Sequence, residues 1–188
     1  MDKLFLLDAY ALIYRAYYAF IKNPRINSKG MNTSAVMGFV NTLNEILTKE
    51  QPTHIGVAFD HGKTFRDEAF PAYKAQREAT PEDIRASVPI IKDIITAMHI
   101  PVLQVDGFEA DDVIGTIGRQ CGRENWDCVI VTGDRDSLQL IDEHVTVKLV
   151  SSKMSQTIAV NYDPARFREE YGFDPIHLID LKALMGDS

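Results

Sequence analysis

The chain has 188 residues, 45% hydrophobic and 25% charged, with a formal net charge of −7. That size and balance fit one folded domain with a real core and exclude a low-complexity chain. No apolar run approaches the roughly 20 residues of a membrane span, and Met1–Asp8 meets a carboxylate too early for a signal peptide, so the expected setting is the cytoplasm, with no membrane partner.

The first element is a buried strand, the apolar run from Lys3 to Leu7 that stops at Asp8. The aromatic-rich segment 9–20 reads as a helix. The Pro, Asn, Ser and Gly of 23–30 read as a loop. Asn32 or Thr33 caps a helix through Leu47, with Val36, Phe39, Val40, Leu43 and Leu47 on one face. A second strand, 54–59, ends at Asp60. Residues 61–80 lack apolar periodicity. Thr80 is then the expected cap of a helix with Pro81 at its first position and Asp83 three residues on, and Pro89 is expected to kink or divide it. A third strand over 101–105 leads to a helix over 108–123. A fourth strand, 128–132, runs into Gly133-Asp134. Runs 145–149 and 157–160 suggest a hairpin, and Asp163-Pro164 and Asp174-Pro175 each open a short helix. Cys121 and Cys128 belong to no metal or redox motif and are expected to be free thiols. The five histidines are scattered. Alternating strands and helices predict an α/β fold with a mostly parallel central sheet and helices on both faces.

Asp8, Asp60 and Asp134 each close an apolar strand or stand just past one. In open α/β sheets ligands bind outside the carboxyl ends of the strands. Glu109-Ala110-Asp111-Asp112 opens a helix, and Asp134-Arg135-Asp136 follows a buried strand. One reading is ordinary: aspartates end strands and cap helices. The other is a divalent-metal site. Like charges a few ångströms apart cost about 4 kcal/mol per pair at an effective dielectric of 20, so converging acids need protons or a cation. All-oxygen ligands favour Mg²⁺ or Mn²⁺, which work on phosphate. No Walker A loop, Ser-His-Asp pattern or G-x-G-x-x-G is present, and Tyr10 stands where a haloacid-dehalogenase-type phosphatase carries its second aspartate. Lys63, Arg66, Lys74 and Arg77, interleaved with Phe65, Phe70 and Tyr73, suit either a nucleic-acid surface or a solvated loop with its aromatics tucked inside.

These residues resemble the 5′ nuclease domains at the N-terminus of bacterial DNA polymerase I, related to flap endonucleases and, more distantly, to PIN domains. The resemblance runs along the chain through 64–66, 73–77, 80–82, 107–112, 131–136 and 180–188, and the E-A-D-D and T-G-D-R-D blocks at this spacing are specific together. It implies a three-layer PIN-like or resolvase-like sheet with a helical arch over the site, and two bound ions, Mg²⁺ or Mn²⁺. The implied metal acids are Asp8, Asp60, Glu109, Asp111, Asp112, Asp134, Asp136 and Asp187. Without those eight charges the net charge would be +1. The resemblance gives Arg66, Lys74 and Arg77 the catalytic cationic role, and Lys63, Phe65 and Tyr73 join them as DNA contacts. The implied substrates are DNA with a 5′ flap or 5′ end and an RNA primer in an RNA–DNA hybrid. Linked polymerase domains are the implied covalent partners. Ala9-Tyr10-Ala11 departs from the family's usual residues after the first aspartate. The chain stops at Ser188, before the family's next aspartate and helix–hairpin–helix element, so a truncated domain is expected. A PIN-type ribonuclease and a domain that binds without cleaving are the competing readings.

Overall fold

The computed structural model describes residues 2–76, 78–153 and 156–186, leaving Arg77 and Asp187 outside the described residues. A six-stranded sheet runs through the molecule in the order β3-β2-β1-β4-β5-β6. Its strands are β1 (Lys3–Asp8), β2 (His54–Ala58), β3 (Val102–Leu103), β4 (Asp127–Thr132), β5 (Val145–Lys153) and β6 (Gln156–Tyr162). The first five are parallel and β6 returns antiparallel to β5. The helices are α1 (Ala9–Ala19), α2 (Ser34–Glu45), α3 (Phe65–Ala69), α4 (Glu82–Ala97), α5 (Ala110–Arg123), α6 (Pro164–Tyr171) and α7 (Leu178–Met185).

Successive strand residues point to opposite faces, and the core divides accordingly. Phe5, Leu7, Val57, Val129 and Val131 join Leu12 and Ile13 of α1, Phe39 and Leu43 of α2 and Ile84, Ile91 and Ile95 of α4. Leu6, Ala58, Ile130 and Val147 join Ile114 of α5, Phe167 of α6 and Leu178 of α7. Both faces of the sheet are therefore covered, which is why its central strands are continuous apolar runs. Strand order reverses between β1 and β4, opening a crevice at their carboxyl ends.

Where α2 crosses α1, Gly38 permits the contact: a Cβ there would lie 2.5 Å from the Ala16 Cβ. Gly38→Ala is expected to destabilise the protein by about 1–3 kcal/mol, read as a lowered urea midpoint at unchanged slope.

Four expected elements differ from those observed. Pro81, not Thr80, is the N-cap residue of α4, and the Thr80 hydroxyl instead accepts from Tyr14 Oη at 2.9 Å. Pro89 does not divide α4: it is exposed, as is Arg85 one turn earlier, so water meets the carbonyl that loses its partner. The third strand shrinks to two residues. The 61–80 stretch contains α3, whose start at Thr64 is fixed by a capping box with Asp67.

Candidate active site

Three strand ends deliver acids to the crevice. Asp8, the last residue of β1, is 6% exposed. Its Oδ1 accepts from the Ala11 backbone N–H at 3.2 Å, and its Oδ2 accepts from the fully buried Thr132 Oγ1 at 2.8 Å. Thr132 Oγ1 in turn accepts from the Asp134 N–H at 3.0 Å, so a single hydroxyl ties the β1 acid to the β4 acid. Asp134 Oδ1 accepts from the Asp136 N–H at 2.8 Å. Asp60, two residues past β2, accepts from the Ala110 N–H at 2.7 Å and so sits on the positive end of α5.

Asp111, in the first turn of α5, faces the same space. Burial, and then the charges of Asp8, Asp134, Asp60 and Glu109, push its carboxyl up to about 7. Its side chain retains solvent contact in the groove. Burial likewise pushes Asp8 up to about 6, against the lowering influence of Ala11 and Thr132 and with the help of Asp60 and Asp134. Asp8 and Asp111 thus both feel the charges of Asp60 and Asp134.

The remaining acids of the cluster are held by cations. Arg66 makes a bidentate pair with Asp112, at 2.6 and 2.7 Å, and lies 3.8 Å from Glu109. That fork holds the Asp112 carboxyl below its usual range. Lys74 Nζ donates to Glu109 Oε1 at 2.6 Å, and Tyr73 Oη donates to Oε2 at 3.1 Å. Lys74 has a left-handed φ of 54°, a conformation that costs a non-glycine residue about 1–2 kcal/mol and is held in place here by the ion pair. Local pairing explains how a stretch without periodicity reaches the site. Thr64 bridges to Gly107, and the Phe65 N–H donates to the Gly107 carbonyl at 3.0 Å. Phe65 therefore meets Phe108 with ring centroids 5.6 Å apart, and Arg66 meets α5.

Of the residues expected at the site, Asp8, Asp60, Asp111 and Asp134 are brought to one crevice, with Glu109 and Asp112 at its cationic side. Asp136 stands further out, 2.8 Å from Lys182. Phe65 is 46% exposed beneath the Arg66 guanidinium. Lys63 is exposed, and its charge acts on Asp67. Arg77 and Asp187 lie outside the described residues. The sequence reading missed Thr132, Lys182 and Arg135. Arg135 turns away from the acids beside it and donates to Tyr171 Oη at 2.7 Å, anchoring the loop to α6. Only the position of Thr132 within the T-G-D-R-D block offered a signal. Thr132→Val is expected to cost about 1–3 kcal/mol, because the Asp134 N–H and Asp8 Oδ2 lose their shared partner; chemical unfolding at neutral pH measures it.

The donor set is all oxygen, as a hard cation requires. Among the described residues no group of three acids is close enough to hold an ion unaided. Bare carboxylates repel, and several of these oxygens are already engaged. An ion that keeps much of its own water suits acids spaced this way.

Residues 3–172 match the family described as the 5′-3′ exonuclease N-terminal, resolvase-like domain. The chain belongs to that family. Among similar members of this exonuclease family, DNA polymerase I of Bacillus caldotenax is 43% identical over 187 residues, covering 98% of this chain and 21% of the relative. DNA polymerase I of Chloroflexus aurantiacus is 41% identical, covering 98% and 20%. The chain thus spans about one fifth of the length of these relatives. The T5 5′-exonuclease with bound zinc shares the fold at a TM-score of 0.70 and 22% identity, over 99% of this chain and 67% of that one. Human GEN1 in complex with Holliday junction DNA aligns at 0.59 and 14% identity, over 99% and 45%. The exonuclease-family fold is therefore the expected α/β class with a mostly parallel sheet. Among the described residues no helix is long and apolar enough to cross a membrane.

Proposed function

We propose that this domain is a divalent-metal-dependent 5′→3′ exonuclease and flap endonuclease that hydrolyses DNA phosphodiester bonds. In that role it serves as the nuclease part of a cytoplasmic DNA polymerase I, removing flaps and primers, including the RNA strand of an RNA–DNA hybrid. The observation that carries this reading is the meeting of Asp8, Asp60, Asp111 and Asp134 at the switch crevice, where burial, and then the neighbouring carboxylates, raise the proton affinity of Asp8 and Asp111. The T5 enzyme of similar fold supports it, having been crystallised with metal ions and with DNA.

Asp8, Asp60, Asp111 and Asp134 would hold Mg²⁺ or Mn²⁺, two ions in all, with Glu109, Asp112, Asp136 and Asp187 as the outer acids. When bound, such ions lower the pKa of an attacking water and neutralise charge on phosphoryl oxygens. The chain's own part is positioning. Lys74 and Arg66, held on Glu109 and Asp112 beside the crevice, would bind the scissile phosphate, stabilising charge that grows in the transition state, with Arg77 on the same segment. Tyr73, Phe65 and Lys63 would meet the strand beside it.

Lys74→Ala is expected to slow cleavage about 10²–10³-fold while metal binding is kept or tightened, since Glu109 loses its ammonium partner; single-turnover rates and metal titration check each half. The reading as a whole is tested with a 5′-flap DNA in Mg²⁺ and in EDTA. Cleavage only with the metal is expected. Binding without turnover, or turnover indifferent to EDTA, overturns it, and preference for matched RNA would make the domain a ribonuclease.

A further inference from the structure

A groove of about 590 Å³ leads away from the acids along the outer face of α5, with the 3-10 segment Arg135–Leu140 as its other wall. Its head holds Arg66 with its partner Asp112, Tyr73, Glu109 and Asp111; Asp136, paired with Lys182, stands on the far wall, and the course passes Arg119 and Arg123. We infer that this groove is a track for the phosphate backbone of single-stranded DNA, carrying the 5′ segment away from the cleavage point. The inference rests on the nuclease reading and assigns a path to one strand of that substrate.

Two observations support a strand here. The groove is continuous with the candidate site, so a strand with a phosphate at the acids has a channel in which to continue. Its cations have the right spacing: Arg119 and Arg123 are one helical turn apart on α5, about 6 Å along the axis, comparable to successive phosphates in an extended strand. Both are exposed. Among the described residues the carboxylate nearest Arg119 is that of Asp142, at a long contact of 3.8 Å. The other oxygen of Asp142 is already taken by the His144 and Val145 N–H groups at 2.8 and 2.9 Å. No carboxylate pairs with Arg123 among the described residues. Glu124 is the nearest acid in sequence. It follows the last residue of α5 and does not line the groove. The Thr116 hydroxyl is committed to the Asp112 carbonyl at 2.7 Å, which leaves Gln120 as the neutral polar group between the two arginines. Beyond Tyr73 the lining carries no aromatic ring, so recognition is by phosphate, not by base stacking, and is independent of sequence.

The test is fluorescence anisotropy of a labelled ~12-nucleotide oligothymidylate in EDTA, comparing wild type with the double variant Arg119→Ala/Arg123→Ala. Removing two phosphate contacts should weaken binding about tenfold at low salt and lower the slope of log affinity against log salt by ~1.4. The Arg119→Lys/Arg123→Lys variant keeps the charges and should stay close to wild type. In Mg²⁺, the alanine variant should raise KM several-fold for a long 5′ flap and leave kcat and the cleavage of a one-nucleotide flap unchanged. Equal affinity and salt slope, or an equal loss on blunt duplex DNA, overturns the track. Because binding is read without metal, a wild-type chain that fails to cleave sinks the nuclease reading separately.

Discussion

Asp111→Asn is expected to lower the Mg²⁺-dependent cleavage rate roughly 10³-fold or more, and at the same time to raise the melting temperature of the metal-free protein. The two effects share one cause. The Asp111 carboxylate is desolvated by burial and then crowded by Asp8, Asp134, Asp60 and Glu109, so that its proton is retained up to about pH 7. Without a cation, the amide removes a charge that its neighbours oppose. With a cation, the same substitution removes a ligand, and several kcal/mol of metal catalysis go with it. Rate assays in Mg²⁺ and thermal melts in EDTA measure the halves independently. A variant that loses activity and stability together would make Asp111 an ordinary structural residue.

The second large effect is on pH. Asp8 carries its proton up to about pH 6 in the folded chain, against an ordinary value of 3.8. The folded state therefore binds more protons than the unfolded state between those values, and stability must fall as pH rises through that window. Below about pH 4 the penalty is absent, and above pH 6 it is complete, at roughly 3 kcal/mol. Asp111 acts in the same direction and extends the loss toward pH 7. Asp112, held low by Arg66, acts oppositely: its stabilisation is present above its unfolded value and fades only in stronger acid. In EDTA, unfolding free energies at pH 4 and 7.5 should therefore separate wild type from Asp8→Asn by an amount that grows by roughly 2 kcal/mol across the range. Added Mg²⁺ should stabilise wild type more at pH 7.5 than at pH 5, because the ligands must be ionised. A pH-independent gap between wild type and variant would show that Asp8 is not desolvated as described.

Much of this was legible because the strands are short apolar runs with an acid at the end. Phe5-Leu6-Leu7-Asp8 and Val129-Ile130-Val131-Thr132 need both faces covered, and that requirement implies a layered fold and places Asp8 and Asp134 at one sheet edge. The E-A-D-D block announced its own helix. What could not be read was long-range. Nothing near Arg66 in the chain says that its partner is Asp112, 46 residues later. That pairing depends on the bridge between Thr64 and Gly107, a backbone contact with no side-chain signature. Thr132 was hidden for a related reason, since a hydroxyl inside an apolar strand looks like filler until the strand beside it ends in an acid. The third strand was read too long because Pro101–Val105 has strand composition, whereas β2 offers its edge to only two of those residues.

The Lys74–Glu109 pair carries a consequence for the order of events. One carboxylate cannot serve an internal ammonium and an incoming divalent ion at full strength. Ion loading and the Lys74–Glu109 pair are then antagonists, each weakening the other by the same factor. A protein charged with metal would present its lysine to solvent, ready for a polyanion, whereas the empty protein keeps it folded inward as its own counterion.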